Sequence, residues 1–400
     1  MNHLPVNPVL RRLGGYPLAA FQELKISMAA DGAALHDFSI GDPVEETPAF
    51  IRDALVAGLP AISQYPTAGG LPGLRTAIAG WVQRRFGVTL DPERHVVPTA
   101  GSKEGIFHAP LAMLDPGGPR RAVIWGDPGY LIYERGQLFA GGTSDPVILE
   151  PADGWRLQLT DLPAGRLDAA LIAWLNYPHN PTGATADMAY LRAALTTARE
   201  RGIVLASDEC NVDIYPDEGP PPPSLLQAAS SRGVPDLSGV LVAVSLSKRS
   251  GMTGYRTGAL IGDPELIAAQ RLLRPSIGTA SPEFVQRAAI AAWSDDTHVA
   301  LRRATFNAKR AILMDFLAEA GIAVSGSEAT FYIWFAAPDG DDAAYAEALL
   351  RHRVIASPGR AFGPGGQGWL RLALVPSVEG CKEAVAIWRD AIAAGALPGH

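Results

Sequence analysis

The chain has few cysteines, little charge and no long apolar run. Only two of its 400 residues are cysteine, Cys210 and Cys381, so neither a disulfide framework nor a CxxC motif can be built. A reduced cytoplasm is therefore the expected location. No uninterrupted apolar stretch approaches the roughly 18 residues a membrane span needs. The N-terminus also lacks the charged-then-apolar pattern of a secretion signal. The eight histidines show no HExxH pairing or other metal-ligand spacing, so no catalytic metal is expected. Charged residues make up only 19% and the net charge is −7, with a pI near 5.7. That balance argues against nucleic acid as a main partner. The Arg11-Arg12, Arg84-Arg85, Arg120-Arg121 and Arg302-Arg303 pairs lie far apart in sequence and read mostly as solvated surface. There is no fixed-period repeat.

What is present is core-forming material. Hydrophobic residues make up 48% of the chain and the mean hydropathy is +0.09. Short apolar runs end in turn residues: Val96-Val97 at Pro98, Ala122 to Trp125 at Gly126-Asp127-Pro128, Ala170 to Leu175 at Asn176, Ile203 to Ala206 at Ser207-Asp208, and Val240 to Leu246 at Ser247-Lys248. They are apolar on both faces, as expected of strands in a parallel sheet. Helix-like segments such as Met188 to Arg201 lie between them, which predicts an α/β sheet with helices on both faces. After about Ser281 the order changes. Helix-like stretches (Pro282 to Trp293, His298 to Ala320) precede strand-like ones (Ala329 to Phe335, Gly368 to Val375), and a helix-like segment follows from Val378 to Ala394. This reads as a smaller α+β domain.

Open parallel sheets bind ligands beyond the carboxyl ends of their strands, and polar or Gly-rich clusters sit there after nearly every run. Lys248 closes one strand; burial lowers a lysine's pKa and makes the amine a competent nucleophile toward an aldehyde. Alone, it reads equally as a lysine snorkelling from a strand end. Downstream, Arg256 in Gly254-Tyr255-Arg256-Thr257-Gly258 has the fork geometry to hold a phosphate, with glycines that allow close backbone approach. Asn180 sits in Asn176-Tyr177-Pro178-His179-Asn180-Pro181-Thr182-Gly183, which also reads as a plain turn. Asp208, in Ser207-Asp208-Glu209, is a carboxylate at a buried strand end and needs a partner. A pyridinium nitrogen is one candidate and a salt bridge or helix cap another. Gly101-Ser102-Lys103 appears where a helix would open, a place suited to an anion and equally to an ordinary Ser cap.

Together these motifs resemble the class I/II aminotransferases of fold type I, the aspartate aminotransferase superfamily. The matching pieces stand in the family's order along almost the whole chain: Tyr65 to Arg75, Ala100 to Glu104, Asp127-Pro128-Gly129-Tyr130, Asn180-Pro181-Thr182-Gly183, Ser207-Asp208-Glu209, Ser245-Leu246-Ser247-Lys248, Arg256, and Trp369-Leu370-Arg371-Leu372. The resemblance implies a mainly parallel central sheet with helices on both faces plus a smaller α+β domain. It also implies pyridoxal 5'-phosphate as cofactor, amino-acid and 2-oxoacid substrates, and a homodimer with shared active sites. In domain terms it implies an N-terminal segment (1–45) joining the small domain, a large cofactor-binding domain (46–285) and a small C-terminal domain (286–400).

Residue by residue, Lys248 resembles the Schiff-base lysine that shuttles the proton, and Asp208 the partner of the pyridine nitrogen. Asn180 resembles the donor to the ring 3′-oxygen, and Tyr130 the residue stacked on the ring. Gly101, Ser102, Lys103, Ser245, Ser247 and Arg256 resemble the phosphate cup. Tyr65 resembles the tyrosine that reaches the phosphate from the neighbouring subunit. Arg371 resembles the binder of the substrate α-carboxylate, and Gly41 the segment that closes over the substrate. One position departs from the pattern: the family usually has tyrosine three residues after the pyridine-binding Asp, and here Asn211 stands there.

Several blocks look closest to the succinyldiaminopimelate aminotransferase branch of lysine biosynthesis: Asn7-Pro8-Val9-Leu10 with Leu13-Gly14-Gly15-Tyr16-Pro17, Ser245 to Ser250, Ala329 to Trp334, and Gly368 to Pro376. That branch implies glutamate as donor and N-succinyl-2-amino-6-oxopimelate as acceptor, and a further cation for the extra carboxylates. Arg249, Arg274 and Arg360 are the candidates by position. An aspartate, alanine or aromatic aminotransferase and a carbon–sulfur β-lyase are alternatives on the same scaffold. The effector domain of a transcription regulator would carry a DNA-binding domain ahead of this fold, and the segment before Ser39 shows no helix-turn-helix pattern.

Overall fold

The computed structural model describes residues 6–13, 26, 28, 34–278 and 280–399. The Gly14-Gly15-Tyr16-Pro17 block and much of the expected N-terminal segment lie outside these residues. Seven strands form the central sheet: β1 (Val96–Thr99), β2 (Ala122–Asp127), β3 (Thr143–Ile148), β4 (Ala170–Leu175), β5 (Val204–Asp208), β6 (Val240–Ser245) and β7 (Gly258–Gly262). Their order is β1-β7-β6-β5-β4-β2-β3. β7 pairs antiparallel with both β1 and β6, while the other neighbours pair in parallel. All strands but β7 therefore point the same way, and their carboxyl ends share one edge.

Burial on both faces explains the unbroken apolar runs. Val240, Val242 and Val244 of β6 face one core with Ile124, Ala173 and Leu205. Leu241 and Ala243 face the other with Val123, Trp125, Ile172 and Ala206. The reading from sequence missed β3 and β7. β3 is an edge strand with partly exposed positions throughout, and it carries Pro146, which a central strand would not tolerate. β7 is short, with a glycine at each end.

The helices that cover and connect the sheet begin with α1 (Ala49–Ala57), α2 (Pro72–Phe86), α3 (Ser102–His108), α4 (Ile132–Phe139) and α5 (Met188–Glu200). There follow α6 (Leu246–Arg249), α7 (Pro264–Ile277) and α8 (Glu283–Ser294). Local chemistry sets their ends. α2 starts with Pro72 at its first turn and stops at Gly87, which is left-handed (φ 70). Asp187 caps α5 by accepting from Tyr190 N at 2.8 Å.

A second core lies beyond α9 (Thr297–Glu319), around β8 (Tyr332–Ala336), β9 (Ser357–Pro358) and β10 (Trp369–Ala373), covered by α10 (Asp342–Arg351) and α11 (Val378–Ala393). β8 starts at Tyr332 rather than at Ala329, because Ser327 (φ 61) and Thr330 (φ 68) turn the preceding chain. The N-terminal segment joins this core. Phe38 is wholly buried in it, its N–H donates to Ile355 O at 2.9 Å and its carbonyl accepts from Ala373 N at 2.7 Å. The segment then crosses to the larger body, where Thr47 Oγ1 donates to Gly251 O at 2.6 Å. Lys309 on α9 is fully buried and paired with Glu45 of the same segment.

Glycine at the start of β7 lets three elements meet. A Cβ on Gly258 would lie 2.5 Å from Val244 O, 3.0 Å from Ser102 N and 3.2 Å from Gly101 C. These are backbone atoms and cannot step aside cheaply. Gly258→Ala is expected to destabilise the fold by about 1–3 kcal/mol through overpacking, read as a lower midpoint in urea unfolding. An unchanged midpoint would show that the strands separate freely.

Candidate active site

Asp208 terminates β5 with only 5% of its surface exposed. Its Oδ2 accepts from Tyr133 Oη at 2.9 Å and its Oδ1 from Cys210 N at 3.2 Å. Asn176 Nδ2 fixes its carbonyl at 2.8 Å. Burial pushes the Asp208 carboxyl up, and these donors counter that in part. Tyr133 comes from α4, where it is buried and stacked on Trp174 at 5.1 Å between ring centroids. Its phenol is held well above its usual range, first by burial and then by the Asp208 charge. A protonated ring nitrogen is the kind of partner such a carboxylate suits.

Lys248 does not end a strand as the sequence suggests. β6 stops at Ser245, whose Oγ accepts from Ser247 N at 3.1 Å and opens the single turn α6. Lys248 on that turn is half-buried. Its Nζ donates to Gly41 O and lies 5.4 Å from the centre of the Phe331 ring. Desolvation pulls its amine down to about 8, against the pull of Asp42 in the other direction. Arg302 Nε donates to the Lys248 carbonyl at 2.8 Å and fixes the turn.

A cleft of ≈ 580 Å³ opens beside this amine. Ser102, Lys103, Ser245, Ser247, Thr253 and Arg256 supply hydroxyls and cations to its wall, and among the described residues Asp42 is its one carboxylate. Arg256 holds a left-handed backbone (φ 53), a conformation that costs a non-glycine residue roughly 1–3 kcal/mol. Its guanidinium covers Gly101: a Cβ there would meet Nη2 at 2.7 Å. Lys103 lies 5.8 Å from the Tyr130 ring. Its amine is lowered by burial, then by Arg256 and Arg135. This is a donor set for a dianion.

Gly41 and Tyr130 also line a second cleft of ≈ 260 Å³, together with Asn180 and Arg371. Arg371 stands on β10 opposite Trp334 of β8. Its Nη1 donates to Asn180 Oδ1 at 2.8 Å and its Nη2 to Ser39 O at 2.7 Å. The guanidinium lies 4.5 Å from the Tyr332 ring centre and 4.4 Å from that of Phe362. It is oriented between two aromatic rings beside an open volume.

The structure thus brings Gly41, Ser102, Lys103, Tyr130, Ser245, Ser247, Lys248 and Arg256 to one cleft and Asn180 and Arg371 to the adjoining one. Gly101 lies under Arg256, and Asp208 adjoins the first cleft through Cys210. Tyr65 is fully exposed and lines neither.

The three arginines suggested for an extra carboxylate are used elsewhere. Arg249 pairs with Asp213 and Asp296 and donates to Ala292 O. Arg274 pairs with Glu104. Arg360 pairs with Asp341 and Asp342. Tyr215, the nearest phenol in sequence to Asn211, lies against Arg85 and Arg303 and lines neither cleft. Asn211 itself is buried, with its Oδ1 unpartnered. Reading the sequence also missed Tyr133, Cys210, Arg135 and Tyr332. The helical spacing of Tyr130 and Tyr133, one turn apart after Asp127-Pro128-Gly129, was the one available signal for Tyr133.

The family described as aminotransferase class I and II matches residues 35–387. An LL-diaminopimelate aminotransferase of Desulforudis audaxviator is 37% identical over 370 residues, covering 91% of this chain and 92% of that protein. The crystal structure of an aminotransferase from Neisseria meningitidis superposes with a TM-score of 0.87 at 33% identity, over 96% of this chain and 99% of that one. A probable N-succinyldiaminopimelate aminotransferase from Thermus thermophilus gives a TM-score of 0.84 at 29% identity, over 94% and 100%.

An amine with a pKa near 8 is reactive at a pH where ordinary lysines, near 10.4, are protonated. In the folded protein freed of small molecules, acetylation of Lys248 by acetic anhydride is expected to speed up with pH and level off above about 8. In urea-unfolded protein it should keep rising toward about 10. Peptide mass spectrometry reads both; coincident profiles would remove the desolvated amine.

Proposed function

The chain belongs to the class I and II aminotransferase family, and from that premise we propose that it moves an amino group between glutamate and an amino acid of the diaminopimelate type. It is a pyridoxal 5'-phosphate-dependent aminotransferase. The residues present fit that group: cations and hydroxyls for a phosphate, a buried carboxylate for a ring nitrogen and a desolvated amine for an aldehyde. When bound, the cofactor supplies the carbonyl that takes up the amino group and a ring that accepts electrons from the α-carbon.

The chain's own residues divide the remaining work. Ser102, Ser245, Ser247 and Arg256 hold the phosphate, with Gly101 giving Arg256 room and Lys103 adding charge. Asp208 keeps the ring nitrogen protonated, and Tyr133 keeps Asp208 in place. Asn180, with Oδ1 committed to Arg371, offers its amide N–H groups to the ring 3′-oxygen. Tyr130 covers the ring face. Lys248 Nζ would hold the cofactor's aldehyde carbon, and its free amine would take the proton from the substrate α-carbon. Arg371 holds the α-carboxylate by a charge-assisted pair. Gly41 accepts from Lys248 and borders both clefts, so the N-terminal segment closes the site.

The observation that carries this reading is the convergence of Lys248, Asp208 through Cys210, and Arg371 on two adjoining clefts. A homodimer completes it. Tyr65 is fully exposed, and a further opening of ≈ 680 Å³ beside Arg256 and Ser281 would give Tyr65 of a second copy a way to the phosphate. For the substrate, the relatives named above favour diaminopimelate chemistry, and the 37% identity to an LL-diaminopimelate aminotransferase supports the unsuccinylated compound over the succinyl derivative. The site's place in lysine biosynthesis follows from that choice.

The test offers LL-diaminopimelate, N-succinyl-LL-diaminopimelate, aspartate, alanine and phenylalanine as donors to 2-oxoglutarate and measures glutamate formed. The expected result is a kcat/KM for one diaminopimelate compound at least tenfold above the simple amino acids. Preference for aspartate, alanine or phenylalanine would overturn the substrate assignment. Separately, Tyr133→Phe removes a hydrogen bond to a buried charge, worth roughly 1.5–3 kcal/mol. Cofactor affinity, read by tryptophan quenching as apoenzyme is titrated, is expected to fall roughly tenfold or more. Unchanged affinity would sink the role given to Tyr133.

A further inference from the structure

One buried ion cluster has no part in the chemistry assigned so far. Lys309 on α9 is fully buried, and an ammonium taken out of water has to be paired and hydrogen-bonded. Its donors go to Leu374 O at 3.1 Å, to Val375 O at 3.3 Å and to Glu45 Oε1, which fills the capacity of an ammonium. Among the described residues Glu45 is the one carboxylate it meets. Glu45 lies between Phe38, buried in the second core, and Thr47, which bonds to Gly251. The same segment carries Gly41 to the Lys248 amine and Asp42 to the wall of its cleft.

The other oxygen of Glu45 connects the segment to the turn that bears the lysine. Oε2 lies 3.8 Å from Nη2 of Arg302, which stands about two turns before Lys309 on α9. Both atoms are buried and neither has a hydrogen-bond partner. Arg302 Nε in turn donates to the Lys248 carbonyl at 2.8 Å. Gly251 gives the guanidinium room, since a Cβ there would lie 2.9 Å from Nη1. Lys248 is thus held at both ends, its amine by the segment and its backbone by α9. One carboxylate joins the two. Lifting the segment would strip Lys309 of its anion, so the buried ammonium opposes that movement.

We propose that Glu45 is a positioning residue, which clamps the segment carrying Gly41 and Asp42 onto α9 and thereby keeps the Lys248 amine out of water. The inference rests on the reading of Lys248 as the reacting amine. The charged or titratable groups that act on this amine are Asp42 of the segment, Cys210, Arg371 and Arg302. Only Asp42 would leave with the segment. Burial is the largest influence on the amine, so its hydration outweighs the loss of Asp42 and the net movement is upward.

The experiment acetylates protein freed of small molecules with acetic anhydride over a pH series. Peptide mass spectrometry then gives the pH at which the rate at Lys248 levels off, expected near 8 in the wild type. Glu45→Gln should raise it by about one unit or more, toward the ordinary lysine value of about 10.4. A second variant, Glu45→Gln with Lys309→Met, removes the buried charge together with its partner, which a fold tolerates better than the loss of one member. It should show the same rise with a native near-ultraviolet circular dichroism spectrum. A folded variant that levels off with the wild type would overturn the proposal. Loss of fold in both variants would also overturn it, by assigning the pair to stability alone. A wild-type profile that levels off near 10 would instead remove the reading of Lys248, and the inference with it.

Discussion

A carboxylate at the buried end of a strand is expensive to keep, and much of the site is arranged around keeping Asp208. Desolvation raises its carboxyl, and an unpaired charge there would cost several kcal/mol. The donors from Tyr133 and the Cys210 amide offset part of this. Tyr133 can reach only because α4 lies across the sheet with its ring stacked on Trp174. The same helix then carries Arg135 into the neighbouring cleft. A requirement at one oxygen atom thus sets the position of an element that borders the substrate.

Chain direction does the next part. Because six of the seven strands run the same way, the turns that follow β1, β2, β4, β5 and β6 open on one edge. They deliver Ser102, Tyr130, Asn180, Asp208 and Lys248 there from widely separated stretches of sequence. β7 runs against them, and its reversal lets the loop before it bring Arg256 back over Gly101. The left-handed backbone of Arg256 and the glycines at 101 and 258 are the local costs of that approach.

The second core completes what the sheet begins. Arg371 reaches Asn180 from β10, and Ser39 meets it from the N-terminal segment. Gly41, two residues on, receives Lys248. Four parts of the chain remote in sequence are joined through one guanidinium and one amine. Displacement of the N-terminal segment would disturb both the lysine and the α-carboxylate binder. The excess of cations over carboxylates in the two clefts suits ligands that carry several negative charges.

The order of motifs along the chain was enough to recognise the family, the cofactor and a mainly parallel sheet, because buried parallel strands leave unbroken apolar runs and each ends in residues chosen for chemistry rather than for packing. Lys248, Asp208 and Arg256 were legible on that basis, although Lys248 stands on a helical turn rather than at a strand end. Edge strand β3 and reversed strand β7 were not, since partial exposure, a proline and terminal glycines erase the pattern. The use of each arginine was also invisible. Arg249, Arg274 and Arg360 are each tied to a carboxylate, and a guanidinium's role is fixed by the charge and polarity within a few ångströms. Sequence places such residues on elements; only packing decided that Arg249 is tied to Asp213 and that Arg371 reaches Asn180 beside the cleft.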